Sequence, residues 1–99
     1  MEKWELYIGS IKIAEINQIG MDQPWFIGDF YPTDHYENYR PLFLRAARFI
    51  ESEDFESEES NNTFEEIDAL PLNIKRLADN KTFNQVMVSL TANEIWWRV

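Results

Sequence analysis

The sequence predicts an α+β fold, in which an antiparallel sheet of about five strands has two proline-interrupted helices packed on one of its faces. Two patterns favour this class. Apolar and polar residues alternate at both ends of the chain, whereas apolar residues recur every three or four positions in between. We therefore expect the order β-β-β-α-α-β-β within a single domain of residues 1–99, because strands at the ends and helices between them are typical of α+β proteins.

The first third of the chain is expected to form a three-stranded meander. Gly9 and Ser10 suit a two-residue hairpin turn, because glycine adopts the positive φ that such turns require. A second strand is expected over 11–17, and a third, rich in aromatic residues, over 25–31. The first strand alternates three apolar positions with polar ones, namely Trp4, Leu6 and Ile8.

The first helix is predicted from an apolar stripe that repeats over residues 36–50. Asp34 followed by Glu37 is a variant of the pattern that caps helix N-termini. Pro41 interrupts the stripe. Since proline removes a backbone donor and clashes with the preceding turn, the sequence predicts either a kink or a short turn followed by a new helix near Pro41.

The second helix is predicted to begin at a capping box formed by Thr63 and Glu66 and to be bent or split at Pro71. Two further strands are expected over 83–90 and 95–99 because apolar and polar residues alternate there. The apolar stripe of this helix consists of four residues: Ile67, Leu70, Ile74 and Leu77.

The negative charge is concentrated in one segment. The chain has 18 acidic and nine basic residues and a formal net charge of −9. Residues 51–68, which we call the acidic segment, contain nine of the acidic residues and neither Lys nor Arg, so the rest of the chain is formally neutral. Its first part, 51–62, is expected to connect the helices. Such a block of like charge is either a solvated loop or a surface that attracts a cationic partner.

The function favoured by this distribution is that of a small acidic binding or regulatory protein, not an enzyme, that engages a basic protein partner. In size and charge the chain is similar to immunity proteins, antitoxins and nucleic-acid mimics, although no motif specific to one of these families is found. The mechanism would be steric occlusion with electrostatic competition. The candidate partner-binding residues are Glu51, Glu53, Asp54, Phe55, Glu56, Glu58, Glu59, Phe64, Glu65, Trp96 and Trp97.

The alternative is a structural or oligomerising domain that associates through an aromatic sheet face, with the acidic segment incidental. Trp96 and Trp97 are consecutive, so in a strand they point to opposite faces of the sheet. If helices cover one face, one of the two indoles lies on the open face, where it could contribute to a homodimer or be covered by its neighbours.

The composition argues against most catalytic and ligand-binding chemistry. The chain has no Cys, and its single histidine, His35, lies next to Asp34 on a predicted helix, where adjacent residues do not face each other. The three glycines are dispersed, which disfavours a phosphate-binding loop. We therefore expect no catalytic residues, no cofactor and no metal ion. The negative charge disfavours direct nucleic-acid binding. Without a long apolar stretch or a signal peptide, we expect no membrane association and a cytoplasmic location.

Overall fold

The computed structural model describes residues 2–91 and 93–99. Seven strands form one antiparallel sheet, in the order β5-β4-β1-β2-β3-β7-β6. A 3-10 helix and two α-helices follow the third strand. The strands are β1 (Lys3–Ile8), β2 (Ile11–Asp22), β3 (Trp25–Pro32), β4 (Leu72–Arg76), β5 (Lys81–Asn84), β6 (Met87–Leu90) and β7 (Glu94–Arg98); the helices are the 3-10 helix (Asp34–Asn38), α1 (Arg40–Glu51) and α2 (Glu58–Asp68).

The α+β class and the N-terminal meander are confirmed. Gly9 has a φ of 60° in the turn between β1 and β2, as the hairpin prediction requires. β2 extends to Asp22, well beyond the predicted end at position 17. A shift in the pairing between Gln18 and Gly20 accommodates one extra residue, so β2 stays paired with β3 from Ala14 to Asp22.

The sheet has seven strands, not five, because the C-terminal part of the chain contributes more strands than predicted. The strand expected over 83–90 is divided at Gln85, which has a φ of 55°. Its first half, β5, pairs with β4, and its second half, β6, pairs with β7 at the opposite end of the strand order. The two edge strands, β5 and β6, are separated in the chain by just Gln85 and Val86. The sheet is therefore curled, so that its two edges come close together.

The first helical region has the second of the two predicted forms, a short turn followed by a new helix. The 3-10 helix precedes α1, and Pro41 lies in the first turn of α1. The missing N–H of proline removes no hydrogen bond there, because the first N–H groups of a helix have no partner within it.

The predicted bounds of the second helix are wrong. α2 begins at Glu58, where the Ser57 hydroxyl accepts a hydrogen bond from the Ser60 N–H at 3.2 Å. Thr63, the predicted cap, is buried inside the helix. The chain leaves the helix after Asp68, and Ile74 lies on β4 opposite Leu6 of β1.

The prediction that Pro71 interrupts the second helix is also wrong, whereas Pro41 occupies the start of a new helix, which is one of the two forms predicted for it. Pro41 begins α1, and Pro71 lies between α2 and β4, where it precedes a strand. The prediction that the helices share one face of the sheet agrees broadly with the structure, in which α1 packs on β6 and α2 packs mainly on α1.

An aromatic cluster forms one end of the core. The ring of Trp97 stacks on Phe26 with centroids 5.5 Å apart and meets the edge of Trp4 at 5.3 Å. Gly28 allows this packing: a Cβ at this position would lie 2.7 Å from both the Asn17 carbonyl oxygen and the Ile16 Cγ2. The core is thus built around strands from both ends of the chain.

Candidate protein-binding site

A groove of about 920 Å³ lies where β6 separates from β4. One wall is the chain from Asn84 to Leu90, and the opposite wall is residues 69–73. α1 and α2 contribute apolar side chains, among them Ile50 and Phe64. The sheet and both helices therefore shape this groove, which is lined mostly by apolar residues with a few polar ones.

Two phenylalanines of the acidic segment line the groove together. The rings of Phe55 and Phe64 stack with centroids 6.2 Å apart. Phe55 is 55 % exposed, and Met87 on the β6 wall is 56 % exposed. Large apolar side chains with this exposure inside a concave surface are typical of a protein-binding site.

The connection between the helices has a defined conformation. The Asp54 carboxylate accepts hydrogen bonds from the Ser57 N–H at 3.0 Å and from the Glu56 N–H at 3.3 Å. These bonds, those of Ser57 first, hold the pKa of Asp54 below its ordinary value. Asp54 therefore fixes the turn that presents Phe55, while the neighbouring acidic side chains remain exposed.

The acidic side chains of this segment are mostly without a basic partner. Glu66 pairs with Arg45 of α1 at 3.3 Å. Within residues 2–91 and 93–99, none of the other eight carboxylates of the acidic segment lies within 4.0 Å of a Lys, Arg or His nitrogen. Their mutual repulsion is therefore not relieved within the described part of the chain.

Three of these carboxylates follow one another along the exposed side of α2, and one of them, Asp68, lines the groove. Glu58, Glu65 and Asp68 lie along one strip of α2, because they are seven and ten positions apart and the helix repeats every 3.6 residues. Asp68, four positions from Phe64, is adjacent to it and lines the groove, whereas Glu58 and Glu65 are exposed on α2 and do not line the groove. We call these three residues the carboxylate row.

The two consecutive tryptophans are on opposite faces of the sheet, as expected for a strand. Trp97 is 0 % exposed and belongs to the core. Trp96 is half-buried on the other face, where its Nε1–H donates to Glu94 Oε1 at 2.6 Å. Neither lines the groove, so the structure does not bring them together with Phe55 and Phe64.

The open face of the sheet contains paired charges. Lys12 Nζ lies 2.9 Å from Glu15 and 3.0 Å from Glu5, and the hydroxyl of Tyr7 donates to Glu5 at 3.0 Å. Hydrogen bonds to Glu15 and then Glu5 raise the pKa of Lys12 well above its ordinary value. Lys12, Glu5 and Glu15 therefore neutralise one another, unlike most carboxylates of the acidic segment.

The sequence missed the β6 wall and the 69–73 wall of the groove. One feature of the sequence could have indicated the β6 wall: Met87 is an apolar residue at a position that the strand alternation assigns to the polar face. Asp68 was counted in the acidic segment but not among the partner-binding residues. Nothing in the sequence indicated that 69–73 and 84–90 would face each other, since that depends on the curl of the sheet.

Other classes of site gain no support from the described residues. His35 is exposed, and no group of three His, Cys, Asp or Glu side chains in residues 2–91 and 93–99 is arranged to hold a metal ion. None of the helices described is long and apolar enough to cross a membrane. Comparisons with protein families, with curated proteins and with solved structures found no match for the chain.

Proposed function

We propose that this protein is a non-enzymatic binding protein that captures a basic segment of a partner protein in the groove. The observation that carries the proposal is an open apolar groove lined by Asp68, which belongs with Glu58 and Glu65 to a row of carboxylates on α2 that have no basic partner among the described residues. An apolar centre surrounded by polar side chains is the usual arrangement of protein–protein interfaces.

The acidic segment would act first, through long-range attraction. Nine carboxylates and no Lys or Arg give this part of the surface a strongly negative potential, which speeds the approach of a cationic partner. Most of the segment is exposed, so this attraction is screened by salt, and it contributes more to the association rate than to affinity.

The apolar side chains would then supply most of the affinity. Phe55, Phe64 and Met87 present rings and a thioether to the groove, and an aliphatic or aromatic side chain of the partner would bury them. Once bound, the domain would cover a cationic surface of the partner and prevent it from contacting other anions, which is how an acidic inhibitor of a basic protein would act.

The alternative, association through an aromatic sheet face, has less support. Tyr31 is 52 % exposed on the open face and Trp96 is half-buried there, but Trp97 belongs to the core. The same face contains the Lys12 ion pairs, so it is not a continuous apolar patch.

Site-specific photo-crosslinking tests the proposed function. A photoreactive phenylalanine analogue at position 55 is expected to capture a basic protein from source-cell lysate at low salt and to lose it as salt is raised. The matched control places the same analogue at Tyr31, which is similarly exposed on the opposite side of the sheet. Capture from position 31 and not from position 55 would favour the open face and reject the groove.

A charge-matched pair of variants tests the carboxylate row. The variant Glu58→Gln/Glu65→Gln/Asp68→Asn should greatly reduce crosslinking from position 55. The control, Asp22→Asn/Asp29→Asn/Asp34→Asn, removes the same charge from carboxylates that form no described ion pair. If crosslinking from position 55 fell equally in both variants, the net charge alone would determine binding. If it fell in neither variant, the proposed function would be refuted.

A further inference from the structure

We propose that the partner segment binds as an added β-strand along the free edge of β6, so that the protein recognises an extended sequence in which basic and apolar residues alternate. This inference rests on the proposed function and adds to it the conformation and pattern of the bound segment. It is carried by the backbone geometry of β6, by the contrast between the two edge strands and by the shape of the groove.

The backbone of β6 presents hydrogen-bonding groups to the groove. β6 is an edge strand that pairs with β7 on one side. The Thr91 N–H donates to the Glu94 carbonyl at 2.9 Å, and hydrogen-bonded positions alternate along an antiparallel pair. In the register of this hairpin, Ser89 and Met87 therefore bond to β7, whereas the N–H and C=O groups of Val88 and Leu90 point away from it.

The two edges of the sheet differ in how they are protected. Edge strands that must stay unpaired usually contain lysine or other charged residues. The β5 edge has Lys81, whose Nζ lies 5.1 Å from the Phe83 ring. β6 has the sequence MVSL, with no charged residue and an exposed Met87. Of the two edges, β6 is the one whose sequence leaves it open to an additional strand.

The groove has a shape that suits such a strand. Residues 69–73 face β6 across it, and the hydrogen bond from the Val86 N–H to the Leu72 carbonyl, 3.3 Å long, closes one end. A bound strand would lie about 4.8 Å from β6. The four residues of β6 offer a pairing length of about 13 Å, at roughly 3.3 Å per residue. The site therefore fits a short extended segment.

The chemistry of the groove indicates the sequence pattern of its occupant. Side chains of a strand point alternately to its two faces. One set would enter the apolar groove near Phe64 and Val88, while the other would remain at its rim, on the side of Asp68 and the acidic segment. A basic segment fits this better than a second copy of the chain, because two copies paired at β6 would bring two acidic segments close together.

Backbone methylation of a defined peptide tests the inference on the unmodified protein. The probe is the peptide Lys-Val-Lys-Leu-Lys-Val-Lys with blocked ends, studied at low salt by calorimetry. Two N-methylated forms have the methyl groups either on the apolar residues or on the lysines between them. Alternate residues of a strand direct their N–H groups to the same neighbour, so one form keeps the donors that face β6 and the other loses them.

The expected result is asymmetric. One methylated peptide should bind at least tenfold more weakly than the parent, and the other should bind within about twofold of it, because lost hydrogen bonds lower affinity only on the paired side. Amide exchange provides a second readout: the Val88 and Leu90 amides should become protected when the parent peptide is bound, while the amide of Glu5 on the central strand β1 should not change.

Other results would overturn the inference in distinguishable ways. Equal affinity of all three peptides, or equal weakening of both methylated forms, would mean binding without strand pairing, and the proposed function would still stand on the crosslinking from position 55. Failure of the parent peptide to bind would also reject strand addition. Concentration-dependent protection of Val88 and Leu90 without peptide would identify a second copy as the occupant.

Discussion

The carboxylates inside the acidic segment differ from those outside it in how they are neutralised, although each group has nine members. Outside, five carboxylates lie in ion pairs with Lys12, Arg40 or Arg76. Inside, only Glu66 has a basic partner among the described residues. Ion pairs within the molecule therefore neutralise most of the first group, whereas most of the second group has no basic partner among the described residues.

The aromatic residues show the same division. Trp97 is enclosed by Trp4 and Phe26, while the stacked pair of Phe55 and Phe64 lies at the surface of the groove. We therefore expect the sheet and its aromatic cluster to provide most of the stability, and we propose that the acidic segment serves binding. If so, changes to the two regions should have separable effects.

The largest effect on stability is expected from Trp97→Ala. Removing a fully buried indole leaves a cavity between Trp4 and Phe26 and should lower the free energy of unfolding by about 3–5 kcal/mol. Trp97→Phe should lose less, because it retains a ring and because Nε1 has no hydrogen-bond partner within the described residues. Urea unfolding followed by circular dichroism measures both. Phe55→Ala should change stability by less than about 1 kcal/mol; a larger loss would contradict the division.

Gly28→Ala should have the next largest effect. The added methyl group would lie 2.7 Å from the Asn17 oxygen and 3.1 Å from Trp97 Cζ3, and this overpacking should destabilise the protein by about 1–3 kcal/mol. Gly20→Ala is the matched control, because a Cβ there meets no atom within 4 Å. Thermal unfolding of both variants checks the prediction, which fails if the two midpoints fall equally.

Ser57→Ala should weaken the start of α2 by about 1 kcal/mol, since the side-chain oxygen that accepts the Ser60 N–H is lost. Hydrogen exchange should show faster opening at the start of α2 and little change in β1. Ser10→Ala, in the exposed first turn, serves as the control. Uniformly faster exchange over the whole protein would show that α2 and the sheet open as one unit.

Charge removal should act in opposite directions in the two regions. Glu65→Gln relieves repulsion from Asp68 three positions along α2 and should raise stability by about 0.2–0.5 kcal/mol at low salt. Lys12→Gln removes the partner of Glu5 and Glu15 and should lower stability. Unfolding measured over a range of salt concentrations should show both differences shrinking as salt is added. A change in stability of the same sign in both variants would contradict the contrast between the carboxylates inside and outside the acidic segment.

The smallest expected effect is on the acid titration. The hydrogen bond from Arg76 lowers the pKa of Asp79 to about 2, and backbone bonds lower that of Asp54. Because both folded-state pKa values lie below the unfolded ones, these groups contribute stability that is fully present above about pH 4 and is lost as the pH falls through the folded values. Carboxyl NMR titration checks this. Asp79→Asn should make stability less dependent on pH between about 4 and 2.

The sequence predicted those elements whose pattern is local. Trp4, Leu6 and Ile8 alternate within six residues, and Pro41 marks the start of α1 through its own covalent structure. The second helix was predicted to be too long because Ile67, Leu70 and Ile74 are spaced as the apolar residues of a helix would be. Leu72 and Ile74 also alternate, and pairing with β1, a distant part of the chain, decides in favour of a strand.

The candidate site was predictable to the extent that it depends on composition. Phe55 and Phe64 were predicted as partner-binding residues because they are the large apolar residues between Glu51 and Glu66. The β6 wall and residues 69–73 could not be predicted, because they meet only when the sheet curls and β5 and β6 separate at Gln85. A groove of this kind depends on which strands pair with each other, and local patterns of apolar and polar residues do not determine that pairing.

The position of β7 between β3 and β6 has a consequence for the order in which the protein is made. Synthesis from the N-terminus produces the meander, both helices and the acidic segment before residues 94–98 leave the ribosome. Until then β6 has no β7 to pair with, and Trp97 is missing from the aromatic cluster. The acidic segment is therefore synthesised before the strand that pairs with β6, and the sheet is completed only after residues 94–98 have been added.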